Sequence, residues 1–524
     1  MHIRASISVA LSLNVPLMAL EPAVGPQPEA GPQPLTAPVP EASNARVLKN
    51  AMVLVVAQIV TIPLSIAINA VMARYLGPSD FGYIYVATTF ASFAFLIVEW
   101  GQVGSLPAQV AIDRSRAGAL LGTALWWRVG GAVVAAIVLS LLAWVLRYQA
   151  DFRIVLGLVI LVTLVGSLLA ACQDVIRGFE RTDIAAYSQV LQQVLTAALV
   201  IPVLVLGFHL RVMLLVQAFA GLVLLGFVWT KLKPVGVGTK HWDRREAKVL
   251  RDHGYAFLVM GLTIALQPNI DAIFISKLAR ADVVGWHAAS RKLIGMVIFP
   301  ATALASALYP TLSRLANESV DEFKSVAAEA LTLSSICVVP VALGCLLYPD
   351  IGVRIFSRES FGPAEQNVRF MAPFVFLLYF SMVLGTALGA SGKQKGWAAA
   401  QAGCLIVSVV LDPLLIPWFQ ARTGNGGLGL CVASSVSEAL MVGAGIYLAP
   451  KGLFTFPVLR RFALTFASGG AMIVAAKLLH SITPFVAAPV AVLAYLAMLV
   501  ATGGLDRQKA LQLKAMFSRR FSRS

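Results

Sequence analysis

The residues able to do chemistry in this 524-residue chain are the few polar and ionisable side chains set inside long apolar runs. Asp271 stands in the run 254–276 with Gln267 and Asn269, and Gln267 and Asp271, four residues apart, share one helical face. Arg291 and Lys292 fall in the first half of the run 285–309, and Arg128 follows Trp126-Trp127 early in 118–146. Asp412-Pro413 lies deep in 397–418, Glu438 midway through 428–449, and Gln189, Gln192 and Gln193 with Tyr187 in 185–207. Cations in such places suit an anionic ligand such as a phosphate, carboxylates suit a proton or a metal cation, and amides suit sugar hydroxyls. Each has a structural rival. Asp271 and Arg291 form either a substrate or coupling site or an internal ion pair. Arg128 is either a ligand contact or an interfacial anchor whose head reaches the headgroups. Asp412-Pro413 marks either a helix break at a cavity or a plain kink, and the glutamines either meet substrate or tie helices together. Glu438 and Asp412 are the coupling-ion candidates. Arg291, Lys292, Arg128, Asp271, Gln267, Gln189 and Gln193 are the substrate-binding candidates.

Other chemistries lack their residues. The five cysteines show no CxxC spacing and the six histidines no metal-ligand spacing, so no metal site and no cofactor are expected, and the cysteines read as small apolar packing residues. No GxxxxGK[ST] phosphate loop occurs. No loop between apolar runs exceeds about 25 residues, too short for an ATPase or a large outer catalytic domain, so the chain is not expected to be an enzyme.

The elements that must position these residues are helices crossing a membrane. Hydrophobic residues make up 58% of the chain and charged ones 13%, against roughly half and a quarter in soluble proteins. The apolar residues come in blocks of about 20, the length that spans hydrocarbon as a helix. Fourteen such spans are expected, at 48–72, 82–100, 118–146, 154–173, 185–207, 212–230, 254–276, 285–309, 325–348, 369–390, 397–418, 428–449, 461–479 and 485–502. The net charge of +16 sets their orientation. With the amino terminus inside, inner loops and tails hold 26 Lys and Arg and outer loops 11, so the excess favours both termini in the cytoplasm. The densest inner segments are 231–251 and the tail 507–523, which should lie near anionic headgroups; nucleic-acid binding is the rival reading of such a tail. Residues 1–45, rich in Pro, Ala, Gly and Gln, cannot bury enough apolar surface to fold and read as a disordered cytoplasmic extension. A secretory signal is the rival reading of its start.

An internal repeat is visible. After the first span comes Ala73-Arg74-Tyr75-Leu76-Gly77-Pro78-Ser79-Asp80-Phe81-Gly82-Tyr83, and after the seventh Lys277-Leu278-Ala279-Arg280-Ala281-Asp282-Val283-Val284-Gly285-Trp286. In both, a helix ends at Leu, a short turn containing Asp comes next, and a Gly-aromatic pair opens the next helix. Six spans separate the copies, so the repeated units share one orientation about an axis along the membrane normal. Two six-helix bundles around a central cavity are expected, with two further helices at the carboxyl end.

The stretch ARYLGPSDFGY, the run from Asn269-Ile270-Asp271 to Ala288-Ala289-Ser290-Arg291, and the closing Tyr309-Pro310-Thr311-Leu312-Ser313-Arg314 together resemble the polysaccharide flippases. These are the O-antigen-type exporters of the multidrug/oligosaccharidyl-lipid/polysaccharide superfamily, and the resemblance covers about residues 46–502. The Pro-rich extension and Trp286-His287 depart from the family pattern. The resemblance implies an all-α polytopic membrane protein of the cytoplasmic (inner) membrane that carries an undecaprenyl-diphosphate-linked oligosaccharide between leaflets by alternating access. Its partners would be that polyprenyl-diphosphate-linked glycan, the bilayer, and a polysaccharide polymerase and export machinery, with no nucleic acid. The implied division is 1–45 extension, 46–230 first bundle, 231–253 basic loop, 254–449 second bundle and 450–524 last two spans with the basic tail. Rival readings are a lipid II-type flippase, a cation-coupled small-molecule exporter and a membrane polysaccharide polymerase.

Overall fold

The computed structural model describes residues 41–232, 242–356 and 358–504. The extension up to residue 40, part of the basic loop and the basic tail lie outside the described residues. Contacts divide the chain after Lys49, and the membrane bundle belongs to the unit that begins at Asn50. Helix α1 begins at Glu41, inside the stretch expected to lack structure, because the residues just after Pro40 contain no further Pro or Gly to stop it.

Every regular element among the described residues is helical. Helix α1 (Glu41–Glu99) joins the first two expected spans across Gly77, whose φ of 73° and ψ of 176° suit glycine alone. Next in order are α2 (Gln102–Ile112), α3 (Ala117–Val145), α4 (Ala150–Gly178), α5 (Thr182–Val205) and α6 (Leu210–Leu232). The second half holds α7 (Arg244–Leu278), α8 (Ala281–Glu318) and α9 (Val320–Leu347), the short α10 (Pro349–Phe356), α11 (Arg358–Phe361) and α12 (Ala364–Phe370), and α13 (Ala372–Ala390), α14 (Gln394–Thr423) and α15 (Gly427–Leu448). Helices α16 (Phe456–Leu478) and α17 (Pro484–Ala501) complete the bundle. Twelve segments among the described residues are long and apolar enough to cross a membrane. The second arm of α1 and the span-length α7 bring the number to the expected 14. Helix α2 has no counterpart among the expected spans: the left-handed Gly101 (φ 71°) turns the chain after the second span and starts a short helix against α4 and α7.

Packing follows the repeat. Helices α3, α4, α5 and α6 pack on one another, as do α8, α9, α13, α14 and α15, with α7 against α14. The last two helices form a pair on α9, where the Tyr495 hydroxyl donates to the Ile336 carbonyl at 2.9 Å. The two halves meet through glycine at both ends of the second arm of α1. At one end, Gly82 and Gly285, equivalent positions in the repeat, touch each other's helices. A Cβ on Gly285 would lie 1.9 Å from the Pro78 carbonyl oxygen, and one on Gly82 would lie 2.5 Å from that of Ala281. At the other end, a Cβ on Gly101 would lie 2.0 Å from the Gly254 oxygen, and one on Gly254 2.1 Å from the Trp100 oxygen. At 1.5 Å per residue the two contacts stand roughly 28 Å apart along the helix, about the thickness of the hydrocarbon core. Each lies at one face of the expected membrane.

Candidate functional site

Between these two contacts lies a cavity of about 490 Å³, lined by both arms of α1, by α4, α5 and α6, and from the second half by Asn269 and Lys292. Its polar wall arises from helical spacing. Ser65 and Asn69 share a face of the first arm of α1, and Tyr85, Thr88, Thr89 and Ser92 share a face of the second. Several of these side chains satisfy their donors on their own helix: Asn69 on the Ser65 carbonyl at 2.8 Å, Thr89 on Tyr85 at 2.7 Å, Asn269 on Ala265 at 2.6 Å. Their oxygens are left to accept, and the Asn269 Oδ1 is buried without a partner. Gln192, Gln193 and Gln217 add amides. Lys292 is the one charged side chain among the lining residues. It lies about 16 Å along α8 from Ala281 and has no salt bridge among the described residues.

A second group lies beside the cavity. Asp271 of α7 and Asp412 of α14 are both buried and face each other at hydrogen-bonding range, with Arg291 of α8 close to Asp271. Among the described residues, no ion pair within 4.0 Å joins Arg291 to either. Both Asp412 oxygens and the Asp271 Oδ1 lack a donor. Two acceptors in contact bind one another only through a shared proton or a cation. His287 packs edge-on to Tyr85, with ring centroids 6.3 Å apart, and its Nδ1 is also unsatisfied. Tyr85 belongs to both groups, since it lines the cavity and its ring packs against His287.

Arg128 has a different surrounding. Its side chain is fully buried, with no guanidinium at the headgroups, so the anchor reading is corrected: the side chain is spent inside the first bundle. It donates to Gln102 Oε1 at 3.0 Å and to the Ser167 carbonyl, and stands 3.7 Å from Glu99 and 3.9 Å from Asp174. Ser167 in turn donates to Glu99 at 2.6 Å, and Arg177 to Asp174 at 2.9 Å. A buried arginine with two carboxylates and two further acceptors is an internal network joining α1, α2, α3 and α4.

The expected residues are thus sorted by the fold. Lys292 and Gln193 line the cavity, and Asp271, Asp412 and Arg291 form the adjoining cluster. Glu438 is apart from both and accepts from Ser381 of α13, Gln189 does not line the cavity, and the side chain of Gln267 lies outside the described residues. Tyr187 points away from the cavity, into a groove between α5 and α6. Sequence reasoning missed Tyr85, Asn69, Thr88, Thr89 and His287. The signal for the first four was present as a polar stripe at helical spacing in the first two spans, while His287 showed only as a departure from the family pattern.

The geometry agrees with comparison to known proteins. The lipid II flippase MurJ in its inward closed conformation has a similar structure, with a TM-score of 0.63 at 11% identity over 85% of this chain and 98% of that one. An inward-facing multidrug resistance MATE family transporter of the MOP superfamily gives a TM-score of 0.54 at 16% identity, over 77% and 94%. A Vibrio cholerae MATE transporter gives 0.52 at 13% identity, over 78% and 95%. At these identities the fold is what is shared. A search of curated protein sequences finds no match. The polysaccharide biosynthesis protein family matches residues 71–363, more than half of the chain and the part that holds the Gly82–Gly285 contact, Lys292 and Asp271. The chain therefore belongs to the polysaccharide biosynthesis protein family.

Proposed function

We propose that this protein is a flippase that turns an undecaprenyl-diphosphate-linked oligosaccharide from the inner to the outer leaflet of the cytoplasmic membrane, by alternating access, for polysaccharide biosynthesis. The observation that carries this reading is the polar cavity with a single lysine, held between two glycine contacts at opposite ends. Sugar hydroxyls and a diphosphate cannot cross hydrocarbon unaided, because unpaired polar groups and buried charge are costly there. Amide and hydroxyl side chains replace water around the sugars, and Lys292 offers a point charge to a phosphate. The polyprenyl tail needs no cavity and stays in the lipid. A cavity of 490 Å³ is in the range of small-ligand pockets, so a longer glycan requires one of the two contacts to part.

Energy comes from two sources in this reading. An inside-negative potential favours outward movement of an anion by about 2.3 kcal/mol per charge per 100 mV. The Asp271–Asp412 pair supplies a place for a proton or metal cation whose inward movement is coupled to the cycle. Glu438, hydrogen-bonded to Ser381, is the lesser coupling candidate. Arg291 balances the carboxylate pair, and Arg128 holds the first bundle together. Both termini lie in the cytoplasm, the bundles comprise 46–230 and 254–449, and a polymerase and export machinery receive the product.

The likeness to MurJ over nearly all of its length favours a second reading, a lipid II-type substrate. The two are separated by one experiment. Lys292→Gln should abolish surface polysaccharide while the protein reaches the membrane at normal level and cell-wall synthesis continues. Normal polysaccharide with Lys292→Gln would remove the central lysine from the site. Loss of cell-wall precursor export instead would favour the second reading.

A further inference from the structure

The contact between Gly82 and Gly285 has two flanks, and the fold fills only one. On the first, the long connection from α9 to α13 carries α10, α11 and α12 into place. Arg74 Nε donates to the Phe356 carbonyl at 3.1 Å, Trp286 Nε1 to that of Ser360 at 2.9 Å, and Phe81 meets Phe356 and Phe361 edge-on. On the second flank the equivalent connection, from α3 to α4, is only residues 146–149. It leaves an open pocket of about 420 Å³.

Both halves build this pocket. Arg147, Tyr148 and Gln149 come from the first, and Ser276, Lys277 and Arg280 from the second. Three of its lining residues are cations and none is a carboxylate. Arg147 has a φ of 54°, the left-handed conformation that residues other than glycine adopt seldom, and it has no ion pair among the described residues. Lys277 Nζ donates to the Leu146 carbonyl at 2.5 Å and sits 3.2 Å from the centre of the Tyr148 ring, which holds its charge at the pocket wall. Arg280 is paired with Asp282 at 3.1 Å but remains 78% exposed. Two other acids stand on this flank outside the pocket lining: Asp151, taken by Arg211 at 2.7 Å, and Asp80, which lies close to the pocket residue Tyr83. By the charge count this end faces outward, where Lys and Arg are scarce, so three of them around one pocket stand out against the topology.

We propose that this pocket is a second, outward-facing anion site that takes a phosphoryl group, held jointly by Arg147, Lys277 and Arg280. Guanidinium groups match phosphate oxygens in pairs and the lysine adds a point charge. Because residues of both halves hold one ligand, the bound anion stabilises the state in which Gly82 and Gly285 touch, by its difference in affinity between the closed and parted arrangements. The phosphoryl group is either the diphosphate of a lipid-linked substrate that has crossed or a free phosphate in the outer medium. The first source rests on the flippase reading, the second does not.

The test uses the full-length Lys292→Gln protein in nanodiscs of zwitterionic lipid, so that the central cavity contributes no cation. Inorganic diphosphate, geranylgeranyl diphosphate and galacturonate are titrated in turn. Saturable binding of diphosphate is expected, weakened about tenfold or more by R147Q/R280Q, since charge-assisted contacts are lost, and restored only in part by R147K/R280K, which keeps the charge but not the paired guanidinium contact. Equal affinity for the two diphosphates assigns the site to the phosphoryl group itself, and a much higher affinity for geranylgeranyl diphosphate assigns it to a lipid-borne one. Diphosphate binding that is absent, or unchanged in R147Q/R280Q, overturns the proposal, as does binding of galacturonate alone. Because binding is read in a Lys292→Gln background, it succeeds or fails separately from transport through the central cavity.

Discussion

Adding one methyl group at Gly285 should hold one end of the cavity open. In Gly285→Ala the new Cβ would lie 1.9 Å from the Pro78 oxygen and 2.6 Å from the Pro78 carbonyl carbon, where even a close carbon–oxygen contact needs about 3.3 Å. The helices must therefore separate locally by more than about 1 Å. Both sides are backbone, so no side-chain rotation relieves the clash. Overpacking of this kind costs about 1–3 kcal/mol, charged against the closed arrangement alone, because the methyl group meets nothing once the halves part. At about 1.4 kcal/mol per tenfold, the ratio of parted to closed molecules rises roughly 5- to 150-fold. A cysteine placed in the cavity at Thr88 reads this as faster labelling by a membrane-impermeant maleimide, added from the outside according to the charge-derived topology. The five native cysteines are mostly buried and give a low background. Gly295→Ala on the same helix has nothing within 4 Å and should leave labelling unchanged. Gly254→Ala, at the opposite contact, should raise labelling from the inside instead. Unchanged labelling in Gly285→Ala, at normal protein level, would refute the claim that backbone contact at this glycine closes the cavity.

Three further outcomes are expected from the same structure. Arg128→Ala leaves half-buried Glu99 without its cation and the buried Asp174 with Arg177 alone; about 3–5 kcal/mol, the cost of a buried charge left unpaired, is then the upper limit, and a lower Tm and reduced membrane level are expected. Asp412→Asn keeps the shape of the side chain and should leave Tm within a few degrees of the parent, yet uncouple transport from the proton or sodium gradient. A transport rate that still falls when the gradient is collapsed would remove Asp412 from coupling. Glu438→Gln retains a hydrogen bond with Ser381, and transport by this variant should keep its dependence on the gradient.

The spans, their number and the repeat were legible from residues 46–502 because hydropathy and helical spacing are local properties. A block of about 20 apolar residues declares a span whatever it packs against. One exception has a local cause. Helix α2 is short, partly polar and set off by left-handed Gly101, so no span-length pattern announces it. The candidate site was legible as a set of residue types, and the polar stripes of the first two spans were readable from the same spacing.

What the residue types left open was which side chains face one another. Arg291 and Lys292 are neighbours in sequence, yet successive helical residues point about 100° apart, so Lys292 enters the cavity and Arg291 turns to the carboxylates. Asp271 and Asp412 are brought together from α7 and α14, and no local pattern links them. Arg128 shows the same limit in reverse: its place beside two tryptophans suggests a membrane anchor, but helices α1, α2 and α4 supply carboxylates and carbonyls that draw it inward. A charged group in a low-dielectric interior takes its role from its partners, and those partners are chosen by the packing of helices distant in sequence. Composition and spacing determined that this chain is a repeated bundle of membrane helices with a few polar groups inside. The tertiary structure alone decided which of those groups face the cavity, which meet each other, and which hold the bundle.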